Sequence, residues 1–208
     1  MGKICIEYAY PIDRMTSDPL CKLFGSSARV KLLRLFLFNP RLSYTVPDAA
    51  QRSRVPERTT RREILLFTAA GLIKRARLRS AGARYGLNPD FQYLLALQNL
   101  LLNAPARGAD IAERLKGSGT IKLVILSGIF LGEWDGRLDL FVVGDRMKEK
   151  KLRAAVRRLE AELGKEVRYS LLSTEQFVYR LGLSDHLVRD VLDYPHTIVL
   201  DKLNIGLK

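Results

Sequence analysis

The chain has 208 residues, of which 47% are hydrophobic and 27% charged, so it can build a sizeable folded core. No uninterrupted apolar run approaches the roughly 20 residues that a membrane span needs, because polar residues interrupt the apolar stretches at 32–38 and 94–102. Charged residues near the N-terminus do not fit a signal peptide. We therefore expect no membrane association and a cytoplasmic location.

The residues most often used in metal binding and catalysis are few. Cys5 and Cys21 lack the spacing of metal ligands, and free thiols in a reducing cytosol are expected. His186 and His196 are isolated, which favours local hydrogen bonding over a ligand role. No Ser-His-Asp or Cys-His arrangement is found. The sequence thus predicts no cofactor, no metal and no catalytic residue.

The net charge of +13 is distributed unevenly. Residues 1–108 contain 18 Lys or Arg and 7 Asp or Glu, whereas residues 109–208 contain 17 and 15. This asymmetry indicates a module that binds a polyanion joined to a nearly neutral module. The alternative is a basic, soluble surface with no specific partner.

Periodicity predicts the elements of the first half. Residues 1–22 show no clear period and are predicted to be an extension, either a tail or an added strand. The pattern then predicts helix, short strand, helix, turn, helix and β-hairpin. The predicted helices are 27–38, 47–53 and 56–71, and the strands are 42–45, 72–79 and 84–87. Ile64, Leu65 and Ala69 are expected to form the inward face of the third helix.

This order of elements, together with the strings Tyr44-Thr-Val-Pro-Asp-Ala-Ala, Val55-Pro-Glu-Arg-Thr-Thr-Arg-Arg-Glu-Ile-Leu and Ala70-Gly-Leu-Ile-Lys-Arg, resembles the winged helix-turn-helix of prokaryotic transcription regulators. The resemblance covers residues 23–103. One departure is the turn, Ser53-Arg-Val, where a small residue or glycine is usual. The resemblance implies sequence-specific binding to double-stranded DNA.

In such a motif the second helix enters the major groove, where Arg reads guanine and Thr contacts phosphate or a thymine methyl. Basic side chains interleaved along the hairpin suit phosphate contacts. The candidate DNA-binding residues are Arg58, Thr59, Thr60, Arg61, Arg62, Lys74, Arg75, Arg77, Arg79 and Arg84. Alternation along the strand places Arg75, Arg77 and Arg79 on one face.

A strongly apolar helix is predicted over residues 91–103, followed by a linker at 104–108. Because its leucines cover more than one face, the helix needs a further partner besides its own domain. Dimerisation is favoured, since winged-helix regulators commonly dimerise on palindromic sites. Packing against the C-terminal domain is the alternative.

The second half alternates helices and strands, which predicts an α/β domain with a small mixed sheet over residues 109–208. Predicted strands are 121–126, 138–143, 166–172 and 197–201; helices are 109–116, 147–163 and 174–192, the last with a break near 182–185. With the N-terminal part, the overall fold class is α+β.

The strand Val124-Ile-Leu-Ser-Gly128, the strand start Arg137-Leu-Asp139 and the strand Val167-Arg-Tyr-Ser170 resemble the minimal nucleotidyltransferase fold of the polymerase-beta superfamily. That family has a Gly-Ser pair, an Asp-x-Asp strand and a third carboxylate, which together hold magnesium and nucleotide phosphates. Here Ile129 replaces the serine, Arg137 replaces the first aspartate and the third carboxylate is missing.

Gly128, Arg137 and Asp139 are therefore expected to form a degenerate nucleotide site without catalytic activity. The predicted function is a DNA-binding transcription regulator with a pseudo-nucleotidyltransferase domain. Glu133 and Asp135 in the preceding loop are possible substitute metal ligands, which leaves an active nucleotidyltransferase, acting on a nucleic acid or a protein, as one alternative. An antitoxin-like protein that binds a protein partner is another.

Overall fold

The computed structural model describes residues 18–78, 82–102, 108–133, 136–183 and 185–204. Within these ranges the chain forms nine α-helices, seven strands and a short 3₁₀ helix at Gly128–Leu131. The helices are α1 (Pro19–Leu23), α2 (Ser27–Leu37), α3 (Val46–Ser53), α4 (Glu57–Ala69), α5 (Leu94–Leu102), α6 (Gly108–Leu115), α7 (Glu149–Leu163), α8 (Thr174–Gly182) and α9 (His186–Leu192). The strands are β1 (Ser43–Tyr44), β2 (Ile73–Leu78), β3 (Gly82–Leu87), β4 (Thr120–Ser127), β5 (Leu140–Asp145), β6 (Tyr169–Leu172) and β7 (His196–Asp201).

Helix α2 is the centre of the first half. The Ser26 side chain caps its start by accepting a hydrogen bond from the Arg29 N–H at 3.2 Å. From Leu32 to Leu37 every residue is buried, because α1, α3, α4, α5 and α7 all contact this helix. The surrounding core is completed by apolar residues from α3, α4, the hairpin and α5.

A three-stranded antiparallel sheet follows α4. Its order is β1-β3-β2, and β2 and β3 form a hairpin in which Arg75 is opposite Tyr85. Helix α5 then packs on α2, where Leu101 is fully buried and the Gln98 side chain donates to the Leu37 carbonyl at 3.0 Å.

The second half contains a four-stranded mixed sheet in the order β6-β5-β4-β7. Strand β4 is antiparallel to β5 and β7, and β5 is parallel to β6. Apolar residues of α6 and α7 cover one face of the sheet, and those of α8 and α9 cover the other. The result is a layered arrangement of helices, sheet and helices.

The end of α7 joins the two halves. The Arg34 guanidinium donates from Nη1 to the Glu162 carbonyl at 3.1 Å, and the Asn39 amide donates to the Gly164 carbonyl at 2.6 Å. Gly164 has a positive φ of 71°, and a Cβ there would lie 2.5 Å from the Arg34 carbonyl carbon. Glycine therefore permits the close approach of α7 to α2.

The mixed α+β class predicted from the sequence is confirmed. The predicted extension over residues 1–22 includes most of α1 (Pro19–Leu23), a helix where a tail or a strand was expected, and Leu20 and Cys21 pack against the first core. Residues 1–17, residue 103 and residues 104–107 of the expected linker 104–108 lie outside the described residues. No described helix has both the length and the apolar character needed to span a membrane.

Candidate nucleic-acid interface

A tight turn between α3 and α4 fixes the start of α4. Arg54 adopts a left-handed backbone with φ of 52°, a conformation that is uncommon for residues other than glycine. The next residue, Val55, is buried and its N–H donates to the Ala50 carbonyl at 3.1 Å. Pro56 then precedes the first turn of α4. The turn thus directs the N-terminus of α4 outward while Val55 anchors it.

Helix α4 has two distinct faces. The buried face consists of Thr60, Glu63, Ile64 and Phe67. The exposed face follows the spacing of a helical stripe and carries Arg58, Arg61, Arg62, Leu65 and Leu66. The stripe is basic in its first two turns and apolar in its third. Such a face can offer guanidinium groups to base edges or phosphates, and apolar side chains to thymine methyl groups.

A buried ion pair holds α4 against α2. Glu63 is fully buried, and its Oε2 accepts a hydrogen bond from Arg29 Nε at 2.8 Å. Arg62, which is largely exposed, approaches the other carboxylate oxygen at 3.5 Å. Because a buried carboxylate requires a partner, this contact fixes both the position of α4 and the rotation of the stripe.

Two expectations about α4 are wrong. Thr60 was predicted to contact DNA, but it is fully buried and its hydroxyl donates to the Val55 carbonyl at 3.4 Å. Leu65 was expected to face inward together with Ala69, but Leu65 is 61% exposed and Ala69 is also exposed. Thr59 is half-buried. The exposed members of the predicted set on this helix are therefore Arg58, Arg61 and Arg62.

The β2–β3 hairpin exposes some of the basic residues that were predicted to contact DNA. Lys74 and Arg75 are exposed, and Lys74 forms a surface ion pair with Asp90 at 2.8 Å. Arg84 was also predicted to contact DNA, but it is half-buried. Its Nε donates to the Ser43 hydroxyl at 3.1 Å, which joins β3 to β1. The side chain of Arg77 and the whole of Arg79 lie outside the described residues.

The predicted nucleotide site has a different organisation from the one expected. Asp139 is fully buried and accepts four hydrogen bonds. Arg168 donates from its backbone N–H and its Nε to Oδ2, at 2.8 and 2.9 Å, and from Nη2 to Oδ1 at 3.0 Å. The Ile129 N–H donates to Oδ1 at 3.0 Å. Both carboxylate oxygens are thus occupied by protein donors.

Arg137 does not pair with Asp139. It is 84% exposed and contacts Asp190 of α9 at 3.1 Å. The guanidinium that neutralises Asp139 belongs instead to Arg168, which immediately precedes β6. The missing third carboxylate near β6 was visible in the sequence. The pairing of Arg168 with Asp139 was not, because it depends on β5 and β6 lying side by side.

Gly128 is positioned by the same carboxylate. Its φ is 53°, and a Cβ at this position would lie 2.2 Å from Oδ1 of Asp139 and 2.9 Å from the Leu138 carbonyl oxygen. Only glycine fits this left-handed turn without movement of Asp139. Gly128 therefore supports the buried Asp139–Arg168 pair, and the space next to its Cα is already filled.

A divalent ion would have few ligands here. The described residues contain no group of three or more His, Cys, Asp or Glu side chains that could hold a metal ion. Glu133 is exposed, and Asp135 lies outside the described residues. Because the Asp139 oxygens already accept four hydrogen bonds, the arrangement favours a structural ion pair over a metal ligand.

Comparisons of the chain with protein-family models, with curated proteins and with solved structures found no match.

Proposed function

We propose that this protein is a sequence-specific regulator of transcription that binds double-stranded DNA through a winged helix-turn-helix formed by α2 to β3. In this proposal α4 is the recognition helix and the β2–β3 hairpin is the wing. Arg58, Arg61 and Arg62 read base edges, while Lys74 and Arg75 contact phosphates.

The observation that carries the proposal is the arginine stripe on α4. The opposite face of the same helix is locked into the core by Ile64, Phe67 and the Arg29–Glu63 pair. A rigid helix whose exposed face is basic, preceded by a tight turn and followed by a basic hairpin, matches the requirements of major-groove recognition.

For the C-terminal half we propose a nucleotidyltransferase-like domain without catalytic activity. The bidentate contact between Arg168 and Asp139 supports this, since it occupies the carboxylate that would otherwise hold magnesium. The competing enzyme hypothesis predicts magnesium-dependent nucleotide incorporation that Asp139→Ala abolishes.

We also propose a homodimer in which α5 faces α5 of a second copy. Leu94 and Leu97 pack on the first core, whereas Leu95 is 74% and Leu100 is 43% exposed on the other side of the helix. A two-fold axis near α5 would place two copies of α4 on the half-sites of a palindrome. Light scattering measures the mass directly, and Leu95→Glu with Leu100→Glu is expected to give a monomer.

The test of DNA binding is a salt-titrated mobility shift with fragments from the region upstream of the protein's own gene. Arg61→Ala with Arg62→Ala should weaken specific binding by about 1–3 kcal/mol per lost base contact. Arg75→Ala should weaken binding to all duplexes similarly, because a phosphate contact carries no sequence information. Thr60→Ser is the matched control on the same helix, since Thr60 is buried. Unchanged binding by the double variant would refute the assignment of α4.

A further inference from the structure

The second half is nearly neutral overall, but it contains one strongly basic segment. Residues 146–158 contain seven Lys or Arg and one Glu, a net charge of +6. The remainder of residues 109–208 contains ten Lys or Arg and fourteen Asp or Glu, a net charge of −4. All eight charged residues of the segment are exposed. The excess is therefore concentrated on one surface, along α7 and the loop before it.

Helix α7 has a buried face and a basic face. Leu152, Val156 and Leu159 are buried against the sheet. On the opposite side, each of Lys150, Ala154, Arg157, Arg158 and Ala161 lies three or four residues from another member of the group, so they share a stripe. Within the described chain, Lys150, Arg157 and Arg158 form no ion pair, whereas Arg153 pairs with Glu149 at 3.1 Å.

The basic stripe runs directly into the first half of the protein. Ala161 is only 1% exposed although it lies on the side away from the sheet, and α2 and α3 contact this end of α7. Arg52 of α3 forms an ion pair with Glu166 at 2.9 Å.

Exposed basic side chains are thus present on both of the packed helices α3 and α7 and in the turn that follows α3. They are Arg52 of α3, Arg54 of the turn, and Arg157, Arg158 and Lys150 of α7. Helix α7 has 15 residues and is roughly 22 Å long. That length corresponds to several phosphates along a duplex, because DNA carries one charge per about 1.7 Å of axis.

We propose that the Lys150–Arg157–Arg158 stripe of α7 is a second binding surface for duplex DNA, which contacts the phosphate backbone beside the site covered by α4. This proposal rests on the proposed DNA-binding function and extends it to the C-terminal half. The stripe contributes affinity that does not depend on sequence, since point charges on a helix surface recognise phosphate and not base edges. Duplex DNA is favoured over an acidic protein because α7 packs against α3, the helix that precedes the proposed recognition helix, and the stripe has the same sign of charge as α4.

The test measures affinity for a random-sequence duplex of about 30 base pairs as a function of KCl concentration, because each phosphate contact contributes about 0.9 to the slope of log K against log salt. The stripe variant is Lys150→Ala with Arg157→Ala and Arg158→Ala. The matched control, Lys116→Ala with Arg189→Ala and Lys202→Ala, removes the same charge from exposed positions elsewhere in the C-terminal half. All six side chains are exposed, and thermal unfolding verifies that both variants fold.

The stripe variant should lose about 1–3 units of slope and the control should lose almost none. Equal slopes for the two variants, or an unchanged slope for the stripe variant, would overturn the inference. If the stripe variant behaves as wild type while Arg61→Ala with Arg62→Ala still weakens specific binding, only the α7 surface is refuted. If wild-type protein binds no duplex, the stripe and the proposed function both fail.

Discussion

Arg168 and Asp139 form a bidentate ion pair where β5 and β6 lie side by side in the second half. Nε and Nη2 of Arg168 lie 2.9 and 3.0 Å from Oδ2 and Oδ1 of a carboxylate that is fully buried. Charge-assisted, two-point contacts of this kind are among the strongest hydrogen bonds in proteins. The pair explains how the charge of a buried carboxylate is compensated in this sheet.

Loss of the Asp139–Arg168 pair is expected to destabilise the protein. Arg168→Ala leaves Asp139 buried without its guanidinium and should lower the free energy of unfolding by about 3–5 kcal/mol. Asp139→Ala should cost somewhat less, because Arg168 is 41% exposed and can be hydrated. Urea unfolding monitored by circular dichroism measures both values.

The control for that measurement is Arg137→Ala. Arg137 is 84% exposed and its contact with Asp190 lies at the surface, so the change in stability should stay within about 0.5 kcal/mol. A loss for Arg137→Ala equal to that for Arg168→Ala would contradict the different roles assigned to the two arginines.

The contact between α7 and α2 depends on Gly164. In Gly164→Ala the new Cβ would lie 2.5 Å from the Leu35 nitrogen, so α7 must move away from α2. We expect a loss of about 2–4 kcal/mol, combining left-handed strain and overpacking. Gly132→Ala is the matched control, because Gly132 has a φ of 82° but no neighbouring atom within 4 Å of the added methyl group. Equal losses for the two variants would show that the contact with α2 contributes nothing.

The N-terminus of α3 is expected to lose stability in acid. Thr45 and Asp48 form a capping box, and the hydrogen bonds from the side chain and backbone of Thr45 lower the pKa of Asp48. A lowered folded-state pKa stabilises the protein above the unfolded value, and this contribution disappears as the pH falls through the folded value. Thr45→Ala should cost about 1 kcal/mol near neutral pH.

Unfolding measured between pH 7 and pH 2.5 tests this prediction. The stability difference between wild type and Thr45→Ala should narrow as the pH falls below the usual pKa of aspartate, because protonation of Asp48 weakens its bond with the Thr45 side chain. The part of the difference that comes from the Asp48 N–H donating to the Thr45 hydroxyl should remain. A difference that stays constant across the range would contradict the role of the carboxylate in the cap.

The hydroxyl group of the buried residue Tyr44 can be removed without loss of stability. It is 3% exposed, its hydroxyl has no hydrogen-bond partner among the described residues, and burial raises its pKa. Tyr44→Phe removes a polar atom that gains nothing from burial, while the edge-to-face contact with Phe36 at 5.7 Å remains. The change should leave stability equal or raise it by about 1 kcal/mol. A clear loss in thermal unfolding would reveal a hydrogen bond that the described residues do not show.

The order of helices and strands could be predicted because most segments have a clear apolar period. The buried face of helix α4 could not be predicted in this way. Ile64 to Phe67 are four consecutive apolar residues, which surround the helix and do not define a buried face. The rotation of α4 is set instead by Glu63, whose partner Arg29 lies 34 residues earlier in the chain. Thr60 was consequently assigned to the wrong face.

The pairing of Asp139 is a second feature that the sequence did not predict. The loss of the acidic residues was visible in the sequence, but Arg137 is two residues from Asp139 and was the obvious partner. Arg168 reaches Asp139 from a distance of 29 residues because β5 and β6 are adjacent in the sheet. Contacts between distant segments depend on strand order, which local periodicity does not provide.

Selection of genomic DNA fragments by the purified protein tests the central claim most directly. We expect wild-type protein to enrich fragments that share one sequence motif, and Arg61→Ala with Arg62→Ala to lose this enrichment while non-specific binding persists. Recovery of fragments without a common motif, or of the same motif by the double variant, would contradict sequence-specific recognition by α4.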